Sequence, residues 1–421
     1  MVLLFAVFLT LMFMGVPISF SMLGSSVAYL LITGFPLEVA VQSIASAIGE
    51  SFVLIAVPFY MLAGVIMNQG GITTRIFNFA KEAVGWIPGG LGHVNILNSV
   101  IFSGMSGTAA ADTGGIGAME IVAMRNAGFD EEFSVGVTAG SSLIGPIIPP
   151  SVPGVLLAVS GGISVGKLFI GGIVPGLVMA LAMAIYVFIV AKKRKYPVTE
   201  FPTLKSLLLS FKEAFFALLS PFIIIGGIMA GVFTPTEASV VSVVYSIILV
   251  LAWKGITVKD IPKLILEAAK ASISTMFIIA SAMIFAWILT VENLPDILQN
   301  LFLSNISSSF MALMMIILLL LFVGTFMDSA AAITLLTPIL MPIVRTYNID
   351  PVHFGIIAIL TLMIGLLTPP VGLNLFILTS VSELNYQQVV KACIPYVFIL
   401  LVVVIIITLF PQIVLWLPGL L

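Results

Sequence analysis

The same pattern of glycine and proline occurs twice in this chain, 220 residues apart. The sequence FSG at 102–104 aligns with FVG at 322–324, and GPIIPP at 145–150 aligns with GLLTPP at 365–370 without a gap. Both copies lie in long apolar segments. Glycine and proline at matching places in apolar sequence are typical of transporters built from two repeats, whose helices are broken where the ligand binds. The duplication therefore predicts a membrane protein made of two related halves.

The composition places most of the chain in a lipid bilayer. Hydrophobic residues make up 61% of the 421 residues and charged residues 8%, and the mean hydropathy is +1.27. About a quarter of the residues of a soluble protein are charged. The length suits roughly ten crossings of about 20 residues each. The formal net charge of −2 indicates no nucleic-acid partner, and the single cysteine, Cys393, excludes a disulfide framework and a thiolate metal site.

Each half is predicted to cross the membrane five times and to contain one re-entrant hairpin. Two apolar runs on either side of the glycine-rich break at 104–112 predict a hairpin that enters and leaves on the same side. Two later runs are separated by Pro149-Pro150 and predict one crossing that is broken in the middle. Because the number of crossings is odd, the second half enters the membrane upside down. The predicted fold is an all-α polytopic membrane protein with two inverted repeats and broken helices.

The positions of Lys and Arg support this topology, since these residues mark the cytoplasmic loops. They fall on one side of the membrane, with Arg345 as the one clear violation, and both termini are predicted outside. Amphipathic segments at 38–50 and 256–270 either lie along the membrane interface as arms or extend the helices that follow. The predicted repeats are 1–195 and 196–421. Scaffold parts are expected at about 1–90 and 205–305, and transport parts at about 91–190 and 306–410.

The glycine-rich break is predicted to help bind a cation. Small polar residues and glycines interrupt the apolar sequence at 103–115. Unwound backbone at membrane depth needs partners from protein, water or an ion. Backbone carbonyls with serine and threonine hydroxyls form an all-oxygen site of the kind that a hard cation prefers.

The proline pairs at 149–150 and 369–370 are predicted to enforce the breaks. Proline lacks the N–H and pushes the preceding residue out of the α region, so the carbonyls four residues earlier lose their helical partners. These carbonyls, which could turn toward an ion, belong to Gly145, Pro146, Gly365 and Leu366. Two breaks at matching positions favour this interpretation over proline kinks that packing alone stabilises.

New half-helices are predicted to start after the prolines, at Ser151 and Val371. Their N-termini carry partial positive charge and free N–H groups, which could hold an anion without a buried Lys or Arg. Asp112 and Asp328 are the acidic residues closest to these breaks, and carboxylates at membrane depth are typical of functional sites. For Asp328, a functional role and a role as a helix cap are both open.

Four segments, at 98–109, 145–151, 231–238 and 368–374, resemble the large membrane subunit of tripartite ATP-independent periplasmic (TRAP) transporters, the DctM-type M subunit. They read NSVIFSGMSGTA, GPIIPPS, GVFTPTEA and TPPVGLN. The resemblance implies an elevator-type secondary transporter of the bacterial inner membrane that imports an organic anion, such as a C4-dicarboxylate or a sugar acid, with Na+ as the coupling ion. It also implies a small four-helix Q subunit and a periplasmic substrate-binding protein as partners.

The resemblance further implies the residues of three sites. The first sodium site would use Ser103, Ser106, Gly145, Ile148 and Pro149. The second would use Gly324, Thr325, Gly365 and Thr368. The substrate would lie between the hairpin tips, near Thr108, Asp112, Ser151, Asp328 and Asn374.

Two other functions are alternatives to this one. A stand-alone sodium/divalent-anion symporter would need no binding protein. A proton-pumping subunit of a respiratory complex is disfavoured because the lysines cluster at the ends of the spans. Residues 161–167 match the phosphate-loop pattern GxxxxGK, but Leu168 replaces the required Ser or Thr. We therefore expect no ATP site, no enzymatic activity and no bound cofactor.

Overall fold

The computed structural model describes residues 1–49, 51–306 and 308–420, and all regular structure in these ranges is helical. The first half has eleven helices among these residues: α1 Val2–Phe13, α2 Ile18–Thr33, α3 Glu38–Gly49, α4 Ala56–Gln69, α5 Ile72–Val84, α6 Gly90–Ser106, α7 Ala109–Ala111, α8 Gly117–Asn126, α9 Glu131–Ser142, α10 Val152–Gly161 and α11 Val165–Arg194. A π-helical turn, Asp112–Ile116, joins α7 to α8, and a 3-10 turn, Phe52–Ile55, precedes α4.

The second half contains ten more helices in the described ranges: α12 Leu204–Met229, α13 Pro235–Ala252, α14 Ile261–Val291, α15 Leu294–Asn305, α16 Ser309–Gly324, α17 Ser329–Thr346, α18 Pro351–Gly365, α19 Leu373–Val381, α20 Tyr386–Leu409 and α21 Gln412–Leu415. Two 3-10 turns complete it: Val258–Asp260 and Pro418–Leu420.

The membrane crossings are a mixture of long helices and helix fragments. Over the described residues, seven helices are long and apolar enough to span a membrane, and five shorter apolar helices accompany them. Continuous helices therefore do not supply all ten predicted crossings. The shortfall is partly explained by α9 with α10 and α18 with α19, because each pair is one crossing divided at a proline break. The prediction of an all-α polytopic membrane protein is confirmed.

The two amphipathic segments fold differently. In the first half, α3 is a separate helix that ends before the 3-10 turn Phe52–Ile55. In the second half, the turn Val258–Asp260 leads directly into α14, which continues without a break to Val291. The first segment thus has the separate-arm form, and the second extends the helix that follows it.

The broken crossings lie against elements of the opposite repeat. The fragment α9 packs on α20, and α10 packs on α17. The long helix α14 contacts α2, α3 and α4 of the first half as well as α17 of its own half. The two halves are therefore interleaved around the breaks, which brings the duplicated motifs close to one another. The division into scaffold and transport parts stays a prediction.

Candidate substrate and cation site

The first hairpin has its tip between α6 and α7, at 107–108, and the second has its tip between α16 and α17, at 325–328. Each tip is attached to the broken crossing of its own repeat by a backbone hydrogen bond. The N–H of Val152 donates to the carbonyl of Gly107 at 3.2 Å, and the N–H of Gly372 donates to the carbonyl of Thr325 at 3.1 Å. The two donors occupy the same repeat position. Gly107 has a φ of +64°, and a Cβ there would lie 2.6 Å from the carbonyl oxygen of Pro150. Glycine is therefore required for this close approach.

The carbonyls released by the prolines find new partners. Both proline pairs, 149–150 and 369–370, have cis peptide bonds. The carbonyl of Pro146 accepts a hydrogen bond from the hydroxyl of Ser151. In the second copy, the carbonyl of Leu366 accepts from the N–H of Asn374 at 3.2 Å, and that of Gly365 accepts from the N–H of Thr368 at 3.0 Å. A cation at these carbonyls would use their second lone pair.

A cavity of about 460 Å³ lies between the two hairpin tips. Its lining comprises Met61, Thr108, Ala109, Ala110, Pro146, Val152, Pro153, Leu156, Thr275, Asp328, Ser329, Ala330, Met363, Leu366, Leu373, Asn374, Phe376 and Ile377. Three of the five predicted substrate residues, Thr108, Asp328 and Asn374, are thus brought together. Among these lining residues, Asp328 alone is charged.

Two further cavities adjoin the central one. A cavity of about 570 Å³ between α10, α14 and α17 shares Leu156 with it. A cavity of about 300 Å³ beside α4 and the π-helical turn shares Met61, Thr108 and Ala110 with the central cavity. The three cavities lie along the boundary that separates α4 and α14 from the two hairpins.

Thr108 and Asp328, which are equivalent in the repeat, both cap helices that begin at the cavity. The hydroxyl of Thr108 accepts from the N–H of Ala111 at 3.4 Å, and the carboxylate of Asp328 accepts from the N–H of Ala330 at 2.9 Å. The capping role of Asp328 is therefore observed. Because both side chains also line the cavity, capping and a contact with substrate are compatible.

Asp112 and Ser151, the other two predicted substrate residues, do not line the central cavity. Asp112 begins the π-helical turn and is buried, with its Oδ2 2.8 Å from the position that a Cβ on Gly145 would occupy. Its carboxylate therefore faces the first broken crossing. The hydroxyl of Ser151 donates to the carbonyl of Pro146 and accepts from the N–H of Gly154 at 2.9 Å, so it stabilises the break.

The residues predicted for the first sodium site lie around the first tip and break. The hydroxyl of Ser103 is fully buried and donates to the carbonyl of Val100 at 2.6 Å, one turn before the tip. Ile148 packs against Gly176 of α11, and Pro149 forms the cis bond. The side chain of Ser106 lies outside the described part of the structure.

The residues predicted for the second sodium site are in closer mutual contact. Gly324 and Gly365 pack backbone to backbone, and a Cβ on Gly365 would lie 2.5 Å from the carbonyl carbon of Gly324. The hydroxyl of Thr325 donates to the carbonyl of Phe322 at 2.8 Å, and the hydroxyl of Thr368 donates to the carbonyl of Ile364 at 2.9 Å. Because each hydroxyl proton is used within its helix, the oxygen lone pairs remain available to a cation.

Comparison with known proteins decides the family. The protein family described as "Tripartite ATP-independent periplasmic transporter, DctM component" matches residues 5–413 of this chain. The chain belongs to this family. It is 42% identical over 414 residues to the sialic acid TRAP transporter large permease protein SiaM of Vibrio cholerae, covering 98% of this chain and 97% of that protein. It is 39% identical over 371 residues to the C4-dicarboxylate TRAP transporter large permease protein DctM of Pseudomonas aeruginosa, covering 88% and 87%.

A solved transporter structure has the same fold as this TRAP permease. The YdaH transporter of Alcanivorax borkumensis, described as having an unusual topology, superposes with a TM-score of 0.66 over 91% of this chain and 89% of YdaH. At 12% identity the likeness concerns the fold alone. Together these findings confirm a large TRAP permease subunit of the bacterial inner membrane, which is a transport protein and not an enzyme.

A polar network behind the first hairpin of this TRAP permease was not predicted from the sequence. The amide of Asn98 donates to the Glu120 carboxyl at 2.7 Å, and both side chains are buried. The amide of Asn95 donates to the Thr138 hydroxyl at 2.8 Å and accepts from Ser141 at 2.6 Å. The signal was available, because amide and carboxyl side chains are rare within apolar membrane segments and usually find partners there.

A role for Thr113 was likewise not predicted from the sequence. Its hydroxyl accepts a hydrogen bond from the amide of Asn374 at 3.1 Å. The partners are 261 positions apart, and nothing in the local sequence pattern indicates such a contact.

Proposed function

We propose that this TRAP permease imports a hydroxylated organic anion together with Na+ by an elevator mechanism. The observation that carries the proposal is that four helical segments begin at the central cavity. Their first residues line it: Ala109 and Ala110, Val152 and Pro153, Ser329 and Ala330, and Leu373 and Asn374. Each helix start carries roughly half a positive charge. Their convergence provides a favourable potential for an anion although the lining contains no Lys or Arg.

The polar groups of the cavity suit an acid that also carries hydroxyl groups. The Asp328 carboxylate would repel a second carboxylate placed next to it but can accept hydrogen bonds from substrate hydroxyls. Thr108 and Asn374 can both donate and accept. Relatives named for sialic acid, C4-dicarboxylates and 2,3-diketo-L-gulonate support a carboxylate substrate. Of these, the sugar-like acids fit the cavity chemistry best.

Sodium would bind at the two proline breaks beside the cavity. The hydroxyls of Ser103 and Thr325, which are buried, and of Thr368, which is half-buried, each donate to a helical carbonyl, which leaves oxygen lone pairs for a hard cation. The carboxylate of Asp112 beside Gly145 would add negative charge to the first of these sites. Cations bound there would also offset the charge of the arriving anion.

The elevator motion is supported by how the cavity is built. Of the 18 lining residues, only Met61 on α4 and Thr275 on α14 belong to the predicted scaffold. The other lining residues belong to the predicted transport parts. A substrate bound there would therefore travel with the transport parts when they slide past the scaffold. By the family relationship, we propose that a Q subunit completes the scaffold and that a periplasmic binding protein delivers the substrate.

Reconstitution with the Q subunit and binding protein tests this function. Proteoliposomes should take up labelled sialic acid in preference to succinate, and only when Na+ is supplied outside. Ser103→Ala and Thr368→Ala should each raise the half-saturating sodium concentration. Thr408→Ala is a matched control, because Thr408 makes the same hydroxyl-to-carbonyl bond within α20 at 2.8 Å, away from the breaks.

Two results would refute the proposal. If both variants keep the sodium dependence of the unaltered protein, the ion sites are wrong. If the chain alone transports as fast as the full assembly, it is a stand-alone symporter and the tripartite assignment fails.

A further inference from the structure

The side chain of Asn374 is held in one orientation by a residue of the other repeat. The hydroxyl of Thr113 donates to the carbonyl of Ala109 at 2.8 Å, so toward Asn374 its oxygen can only accept. The amide nitrogen of Asn374 supplies the matching donor at 3.1 Å. The flipped amide would bring two acceptor oxygens together, and both side chains are buried. The contact therefore fixes which end of the amide is directed at Thr113.

The π-helical turn places Thr113 in this position. Gly114 approaches Ile377 of α19, where an added Cβ would lie 3.4 Å away, and Gly115 approaches Asn68 of α4, where it would lie 3.0 Å away. The turn thus lies between α19 and α4. The wider π turn changes the direction in which the side chains after it point, and such turns are frequent at functional sites.

The contact has no equivalent in the other half. The repeat equivalent of Thr113 is Ile333, and that of Asn374 is Gly154. Neither side chain can form a hydrogen bond. The bond therefore does not come from the shared repeat architecture and is specific to the side of the cavity that Asn374 lines.

We propose that Thr113 is a positioning residue for substrate recognition, which orients the Asn374 amide so that its oxygen is available to donor groups of the bound anion. This inference rests on the proposed function, because it takes Asn374 to contact the substrate. The same bond would join the first hairpin to the second broken crossing, so that the two repeats hold one substrate together.

The test is a substitution series assayed as the complete reconstituted transporter, with sialic acid and succinate as probes. Thr113→Val keeps the shape of the side chain and removes the acceptor, and we expect it to raise the KM for the anion about fivefold, as loss of a hydrogen bond of about 1 kcal/mol would. Thr113→Ser keeps the hydroxyl and should stay within about twofold of the unaltered protein. The half-saturating sodium concentration should not change in either variant.

A double-mutant cycle separates this inference from the proposed function. Thr113→Val combined with Asn374→Ala should be no worse than Asn374→Ala alone. Additive effects, or an unchanged KM in Thr113→Val while Asn374→Ala raises it, would overturn the positioning role. If Asn374→Ala itself leaves the KM unchanged, or if neither probe is transported, the proposed site fails and the inference falls with it.

Discussion

The first arms of the two hairpins, α6 and α16, occupy equivalent repeat positions but lie in opposite surroundings. On α6, Asn95 and Asn98 are both 0% exposed. Their equivalents on α16, Met315 and Leu318, are 49% and 59% exposed. The helix α6 is enclosed by α4, α5, α9 and α11, whereas α16 packs mainly on α18. One arm is interior and the other is peripheral.

The chemistry of each arm follows from its surroundings. The enclosed arm carries the Asn95 and Asn98 networks, which tie it to α9 and α8. In the second hairpin, the equivalent of Asn98 is the exposed Leu318, and the equivalent of Glu120 is the buried Leu340. A polar network orients helices only where every member finds a partner, and a surface that faces lipid must stay apolar. The repeat therefore conserves the backbone breaks and varies the side chains that hold them.

Replacing Asn98 of the first hairpin by leucine, its equivalent in the second hairpin, should have the largest effect on stability. Asn98→Leu would leave the buried Glu120 carboxyl without its donor, at a cost of about 3 kcal/mol. We expect a clear drop in the Tm of the purified protein. Asn98→Leu with Glu120→Leu should recover most of that loss, since apolar pairs often replace buried polar pairs at little cost. A single variant as stable as the unaltered protein would show that the network does not hold the hairpin.

Glycine substitutions at the two breaks should come next. Gly365→Ala forces a Cβ against the backbone of Gly324, and Gly107→Ala does so against Pro150. Overpacking of this kind costs about 1–3 kcal/mol, and the positive φ of Gly107 adds strain. Both variants should lose stability and sodium-dependent uptake, with the larger loss in Gly107→Ala. Gly226→Ala is the matched control, since a Cβ there meets nothing within 4 Å; an equal loss in that variant would contradict the explanation.

The two equivalent caps allow a finer comparison. Thr108→Ala and Asp328→Ala should each destabilise the protein by about 1 kcal/mol through loss of the cap. Asp328→Asn keeps a capping oxygen and removes the charge, so its Tm should remain close to that of the unaltered protein. If uptake nevertheless falls in Asp328→Asn, the carboxylate serves the substrate. Full uptake in this variant would reduce Asp328 to a cap.

The smallest effect is expected at Asp130, which is equivalent to Asp350. Hydrogen bonds from the Tyr196 hydroxyl and the Arg194 guanidinium hold the pKa of Asp130 below its ordinary value. The lowered pKa means that this stabilisation is present above the unfolded pKa of about 3.9 and is lost as the pH falls through the folded pKa. Asp130→Asn should therefore lower the Tm slightly at neutral pH and leave it unchanged below the folded pKa. Equal losses at both pH values would exclude the ionic contribution.

Local sequence patterns were sufficient to predict the architecture. The repeat, the apolar spans and the two proline breaks depend on residue type and spacing within short segments, and proline and glycine restrict the backbone wherever they occur. Thr108, Asp328 and Asn374, which the family resemblance implied as substrate residues, line one cavity in the structure, and their contact with substrate stays a prediction. The sequence left open whether the amphipathic segments are arms or helix extensions, and each half gave a different answer.

The tertiary structure decided where side chains point and what encloses them. One π-helical turn, which no periodicity revealed, directs Asp112 to Gly145 and Thr113 to Asn374. The contrast between the enclosed α6 and the peripheral α16 likewise depends on which distant helices pack against each arm. The sequence by itself determined where the chain breaks and repeats, because those constraints are local. The structure alone decided which polar groups meet across the breaks, because that depends on how separate helices pack, as for Thr113 and Asn374, which are 261 positions apart.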